Sequence, residues 1–195
     1  MIRAIIFDFG GVLTKNKFFE SSSKNIGKLS SMNDVEILNI MKSESQKYFT
    51  GEEDGKEYWN RVCSKIGIDP NEESFRILLD SYDLDRDSLR LASDMRKKYT
   101  VILLSDNFKE LADELKPKIG KYFDIMYFSN EIHATKSSSS AFEIMLEKSR
   151  LSAEECVFID DKEENTELAK SLGFFVILYS DPVQARKELD RILRE

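Results

Sequence analysis

Apolar residues along this chain fall into two rhythms. Five short, unbroken runs occupy residues 4–7, 100–104, 125–128, 156–159 and 174–178. Runs this short, rich in β-branched and aromatic residues and without alternation, predict parallel strands covered on both faces. Between the later runs the apolar spacing turns helical, and helices are expected over 108–116, 140–149, 163–172 and 182–194. Asp181 is placed to cap the last of these, with Pro182 at its first position. Strand and helix in alternation predict an α/β fold: a doubly wound, parallel, five-stranded, Rossmann-like sheet. Ligands of such sheets bind beyond the carboxyl ends of the strands.

The stretch from Lys15 to Leu84 follows a different pattern. It has no strand-like run, and its apolar residues recur at helical spacing in Val35, Leu38, Met41 and Tyr48, then in Trp59, Val62, Cys63 and Ile66. Asp69-Pro70-Asn71 restarts a helix after Gly67. The expected organisation is therefore a core domain of residues 1–14 and 85–195, interrupted by a small all-helical cap domain of residues 15–84. An insertion directly after the first strand would lie over the strand ends as a lid.

Composition narrows the partners. With 41% hydrophobic and 33% charged residues, the chain has an ordinary globular mix. A net charge of −7 and a pI near 5.0 exclude nucleic acid and anionic membrane as the main partner, because both need clustered Lys and Arg. No apolar segment approaches the ~20 residues of a membrane span. Cys63 and Cys156 lie far apart, without metal-binding spacing. The expectation is a reduced, cytoplasmic protein.

Chemistry-bearing residues follow four of the strands. Asp8 follows the first, within Phe7-Asp8-Phe9-Gly10-Gly11. Ser105-Asp106-Asn107 follow the second, Lys136 comes a short loop after the third, and Asp160-Asp161 follow the fourth. Singly, each has a plain reading as a helix cap, a turn or a solvated loop. Together, a lone carboxylate, a hydroxyl, a lysine and an acidic pair suit phosphoryl transfer through a covalent aspartyl phosphate. Asp8 would attack phosphorus. A carboxylate and a phosphate dianion ~4 Å apart repel by about 8 kcal/mol at an effective dielectric of ~20, and a divalent cation reverses that sign. Asp8, Asp160 and Asp161 offer the hard oxygens that Mg2+ takes. Lys136 would neutralise phosphate and keep Asp8 ionised. The Ser105 hydroxyl, with neighbouring groups of Asp106 and Asn107, would bind the non-bridging oxygens.

The order Asp8 in FDFGGVLT, Ser105 in VILLSDN, Lys136, then FIDDKEENTELAKSLG resembles the haloacid dehalogenase superfamily over the whole chain. More narrowly, it resembles the phosphatase branch with a small helical cap after the first motif. The resemblance implies that Asp8 is the nucleophile and that Lys136 and Ser105 bind phosphate. It also implies Mg2+ on the Gly10 carbonyl and the Asp161 carboxylate, with Asp160 an additional or water-mediated ligand. The implied substrates are small phosphorylated metabolites, selected by the cap.

Two positions depart from that pattern. Gly10 stands where most such phosphatases carry a second Asp, the general acid for the leaving alcohol. Its carbonyl survives as a ligand, but lost acid–base assistance costs ~10²–10⁴ in rate. Among the residues around the motifs, Asp106 and His133 are the nearest substitutes, although His133 reads more simply as an exposed loop residue. The second departure is four serines after Lys136 in place of a proline, which leaves either a looser loop or a helix start at Ser138 or Ser139. Two rivals remain. One is a metal-independent dehalogenase, against which the acidic pair argues; the other is a degenerate phosphate-binding scaffold, against which the intact Asp8, Ser105, Lys136 and Asp161 argue.

Overall fold

The computed structural model describes residues 1–194. Five parallel strands form one sheet: β1 (Ala4–Phe7), β2 (Thr100–Ser105), β3 (Ile125–Phe128), β4 (Cys156–Asp160) and β5 (Phe175–Leu178). Their spatial order is β3-β2-β1-β4-β5, so β1 is central and the winding reverses there. Helices α1 (Phe18–Gly27), α2 (Asp34–Glu44), α3 (Gln46–Phe49), α4 (Gly55–Ile66), α5 (Glu72–Leu79) and α6 (Arg86–Met95) lie between β1 and β2. After β2 come α7 (Lys109–Ile119), α8 (Ser129–Ile132), α9 (Ser139–Ser149), α10 (Glu163–Ser171) and α11 (Pro182–Ile192). No helix among the described residues is long and apolar enough to cross a membrane.

The period-two geometry of a strand divides the apolar runs between the two sheet faces. Ile5, Phe7, Val101, Leu103, Val157 and Ile159 pack on one face, beneath α6, α7 and α11. Ala4, Ile6, Ile102, Leu104, Cys156 and Phe158 pack on the other, where α9 and α10 contribute Phe142, Met145 and Ala169. Unbroken apolar runs are thus needed because both faces are covered. The edge strand β5 departs from this, with Phe175 and Leu178 exposed and Ile177 buried. One neighbour and one covered face suffice at an edge.

Local chemistry fixes five of the helix starts. The side chains of Asn33, Asp54, Asn71, Asp85 and Asp181 each accept a hydrogen bond from a first-turn N–H. Gly67 closes α4 in the left-handed region at φ 73°. The apolar pattern alone does not signal α6, since Arg86, Asp87, Arg90 and Asp94 interrupt it. Capped by Asp85, it nevertheless buries Leu89, Ala92 and Met95 against the sheet. Helix α7 runs through Pro117 to Ile119, past its expected end. A proline in the last turn forgoes a single N–H bond there.

The chain leaves and re-enters the sheet domain at one place. Thr14 and Leu84 form an antiparallel bridge, flanked by Lys15 N–H to Asp83 O at 2.9 Å and Asp85 N–H to Leu13 O at 2.8 Å. The helical insertion between these crossings is tied to α7. Glu110 accepts hydrogen bonds from the Tyr48 hydroxyl at 2.8 Å and the Gly55 N–H at 3.1 Å. The Tyr48 ring stacks between Phe108 (4.4 Å) and Tyr58 (4.5 Å). Further along α7, Glu114 pairs with Arg76, and Lys118 donates to the Tyr82 hydroxyl at 2.7 Å. Because the Tyr48 hydroxyl is buried, Glu110→Ala would leave it without an acceptor, a loss of about 1–3 kcal/mol. Chemical denaturation should show that loss, whereas Glu114→Ala, whose partner is half-exposed, should cost under ~1 kcal/mol.

Candidate active site

Sheet register assembles the site. Phe7 pairs with Leu103 on one side and Ile159 on the other, so Asp8 and Asp160 emerge side by side at the ends of β1 and β4. The Asp8 N–H donates to Ile159 O at 2.9 Å. Oxygens of Asp8, Asp160 and Asp161 lie within 4.8 Å of one another. Lys136, from the loop before α9, enters this cluster fully: its side chain is 2% exposed. The Lys136 ammonium donates to Asp8 Oδ1 and, at 2.7 Å, to Asp160 Oδ2.

Two buried carboxylates therefore share one buried ammonium. Burial pushes the Asp8 carboxyl up to about 7, against the pull of Lys136 and with Asp160 adding repulsion. Burial also opposes the charge on Lys136, but Asp160, Asp8 and Asp106 outweigh it and hold the ammonium above its ordinary value. The cluster is thus short of positive charge.

The adjacent aspartates are not equivalent. Asp160 is saturated: Oδ1 accepts the Lys162 N–H at 2.9 Å, and Oδ2 accepts Lys136 and, at 3.0 Å, the Asn165 amide. Both oxygens of Asp161 are buried without a hydrogen-bond partner among the described residues. The half-exposed Lys17 ammonium stands 2.7 Å from Asp161 Oδ2 as an ion pair without hydrogen-bond alignment. Asp161 is therefore the carboxylate whose oxygens lack hydrogen bonds and whose ion pair is to a half-exposed lysine, while Asp160 is held against Lys136.

The two glycines after Asp8 differ as sharply. Gly11 lies at φ +85°, and a Cβ there would meet Asp161 Oδ2 at 2.5 Å. Nothing lies within 4 Å of a Cβ at Gly10. A side chain is thus excluded at Gly11 but has room at Gly10.

Ser105 closes β2 and is buried. Asp106 Oδ1 accepts the Lys136 backbone N–H at 2.9 Å, which anchors the lysine loop to the end of β2. The four serines do not loosen that loop. Ser138 occupies the N-cap position of α9, and its N–H and hydroxyl both bond Thr135 O. Asn107 exchanges backbone hydrogen bonds with the Ser129 hydroxyl, and its Oδ1 accepts from the Phe108 N–H. This leaves the Asn107 Nδ2 buried and unpartnered. His133 is brought to a different place. It is exposed and bonds Thr50 O at 2.8 Å, linking α8 to the insertion.

A cavity of about 150 Å³ opens on this cluster. Asp8, Gly10, Asp106, Asn107 and Lys136 line its floor, and Phe18, Phe19, Phe49, Phe108 and Leu111 its walls. Sequence reasoning missed the wall residues, together with Lys17 and Lys162 at its edge. The adjacent Phe18 and Phe19 carried the one available signal. Side chains next to each other on a helix point about 100° apart, so both cannot fill the same core position.

A central acidic cluster at the ends of a doubly wound parallel sheet, beneath a helical insertion, is the arrangement of an α/β protein with its site at the topological switch point. The chain belongs to the haloacid dehalogenase-like hydrolase family, which matches residues 2–173. It is 25% identical to D-ribitol-5-phosphate phosphatase of Bacteroides thetaiotaomicron over 99% of both chains. The fold is shared with a HAD-like hydrolase of Porphyromonas gingivalis at a TM-score of 0.83 and 24% identity, over 100% of this chain and 99% of that one. It is also shared with a HAD family enzyme of Bacteroides thetaiotaomicron, at a TM-score of 0.79 and 23% identity, over 92% of this chain and 95% of that one. The latter structure is of an aspartate-to-alanine variant in complex with magnesium and inorganic phosphate.

Steric contrast between the glycines gives a direct test of the cation site. Gly11→Ala should weaken Mg2+ binding ~10-fold or more by displacing Asp161, with about 1–3 kcal/mol of backbone strain. Gly10→Ala should leave Mg2+ affinity within ~3-fold of the parent by calorimetric titration, since no neighbour has to move.

Proposed function

We propose that this protein is a Mg2+-dependent phosphatase of small phosphorylated metabolites, working through an aspartyl phosphate on Asp8. The observation that carries this reading is Asp161. Its two buried oxygens lack hydrogen bonds, within 4.8 Å of the oxygens of Asp8 and Asp160. Three carboxylates facing one buried ammonium form a donor set that fits a hard divalent cation. Asp161, Asp8 and the Gly10 carbonyl would hold Mg2+. Bound there, Mg2+ supplies the positive charge that lets a phosphate dianion approach Asp8 and keeps its carboxyl ionised.

The chain's own residues then divide the work. Asp8 attacks phosphorus, forming an O–P bond as the ester O–P bond breaks. Lys136 carries the charge that develops on the phosphoryl oxygens. The unpartnered Asn107 Nδ2 and the Ser105 hydroxyl supply donors for those oxygens. Asp106 and Asp160 position Lys136. Water attack on the acyl phosphate returns Asp8 and releases inorganic phosphate. Residues 15–84 form the cap that walls the cavity. The similarity to D-ribitol-5-phosphate phosphatase and to the fold seen with magnesium and phosphate supports the reading. Two free, buried thiols suit a reducing cytoplasm.

Gly10 sets the leaving group. Without a carboxyl at that position, the departing oxygen takes its proton from water, so esters of acidic alcohols, phenols and acyl groups should react best. Gly10 also favours a second reading, a metal-independent dehalogenase attacking carbon, whereas the acidic pair Asp160-Asp161 disfavours it. Halide release that persists in chelator would establish that second reading.

Asp8→Asn should cut phosphate release by ~10³-fold or more, as should chelation of Mg2+ in the parent. Undiminished turnover in either case would refute the mechanism. The rate should fall steeply as leaving-group pKa rises. Gly10→Asp, which has room for its side chain, should raise alkyl-ester turnover by ~10²-fold and leave aryl esters nearly unchanged. A rate independent of leaving-group pKa would contradict the role given to Gly10.

A further inference from the structure

We infer that the organic half of the substrate is a single aromatic ring, so that the ester is a monocyclic aryl phosphate. The inference rests on the phosphatase reading and narrows it. On the cap side of the cavity the half-buried side chains are Phe18, Phe19 and Phe49, while the charged side chains Lys17, Glu20 and Lys42 stand exposed at the rim. From the sheet domain, Phe108 and Leu111 complete the wall. No half-buried cap residue in the lining offers a hydrogen bond. Hydroxyl groups of a polyol would find partners only at the rim and the floor, and those against the ring-lined wall would lose water without replacement, which disfavours a polyol there.

The four rings form a continuous aromatic surface. Phe18 meets Phe108 edge-on at 5.5 Å, Phe19 meets Phe49 at 5.5 Å, and Phe49 lies nearly parallel to Phe108 at 6.3 Å. Another ring extends such a surface through the same edge and offset contacts, which flexible aliphatic chains cannot make. Size limits the occupant further. The cavity is about 150 Å³ and includes the Asp8–Lys136 floor, so beside a phosphoryl group it leaves space for only a small organic group. Gly10 points the same way independently. A phenolate leaves without the protonation that Gly10 cannot provide, so wall and floor select one chemical class.

Binding separates this selection from catalysis. The probes are phenylphosphonate, methylphosphonate, butylphosphonate, a trihydroxybutylphosphonate and inorganic phosphate, titrated calorimetrically into the full chain with Mg2+. Phenylphosphonate should bind ~10-fold or more tightly than the other phosphonates. Phe19→Ala and Phe49→Ala should each reduce that preference to ~3-fold or less, with inorganic phosphate affinity unchanged as the sign of an intact floor. Equal binding of butylphosphonate or the trihydroxy compound overturns the aromatic assignment and leaves the phosphatase reading standing. So does a phenyl preference that survives both substitutions. Absence of Mg2+-dependent binding of inorganic phosphate overturns the phosphatase reading, and the aromatic assignment falls with it. The ligand series on the parent protein decides the matter even where a variant fails to fold.

Discussion

The ammonium of Lys136, buried between Asp8 and Asp160, is the constraint on which the rest of the site depends. Burying three charges costs several kcal/mol per ion unless geometry and hydrogen bonding are close to ideal. The structure meets that demand from several directions. The registers of β1 and β4 bring the two carboxylates level, the Lys162 N–H and Asn165 fix Asp160, and Asp106 pins the Lys136 backbone. Each of these contacts keeps the charges close enough for attraction to outweigh lost hydration. What remains is a cluster with one more carboxylate than its buried cation can satisfy, and that imbalance suits the cluster to a further cation.

The imbalance is localised by backbone geometry. Asp160 is the last residue of β4 and lies within reach of Lys136 and α10. Asp161, one residue on, has passed beyond the sheet and faces the turn after β1. Gly11 makes that approach possible, since a Cβ there would lie 2.5 Å from Asp161 Oδ2. The first turn thus does two separate things. Gly11 clears space for a carboxylate, and Gly10 withholds a proton donor without any steric need to do so. An absent side chain where there is room for one reads as a property of the reaction and not of the fold.

Helix α7 joins the floor of the cavity to its walls. It starts at Lys109 after its N-cap residue Phe108, brings Leu111 to the cavity beside Phe108, and holds the insertion through Glu110, Glu114 and Lys118. One helix thus borders the cavity and carries the attachment of the insertion. The apolar core continues from the sheet face into the insertion, through Ile26, Met41, Trp59 and Val62.

Local patterns carried much of this in advance. Unbroken apolar runs named all five strands, and strand ends named Asp8, Ser105, Lys136 and Asp160-Asp161, because strand period and crossover topology are written in neighbouring residues. Asp85 capping α6 and Pro117 lying within α7 show the limit of reading apolar spacing alone. The sequence by itself determined the sheet, the helical insertion and the candidate groups that gather at the strand ends. Only the tertiary structure decided which carboxylate lacks hydrogen bonds, that Asp106 holds the Lys136 backbone, that His133 stands apart, and that four phenylalanines wall the cavity. These outcomes depend on contacts between segments far apart in the chain, where a hydrogen bond made by one group is denied to another, and no local pattern records that competition.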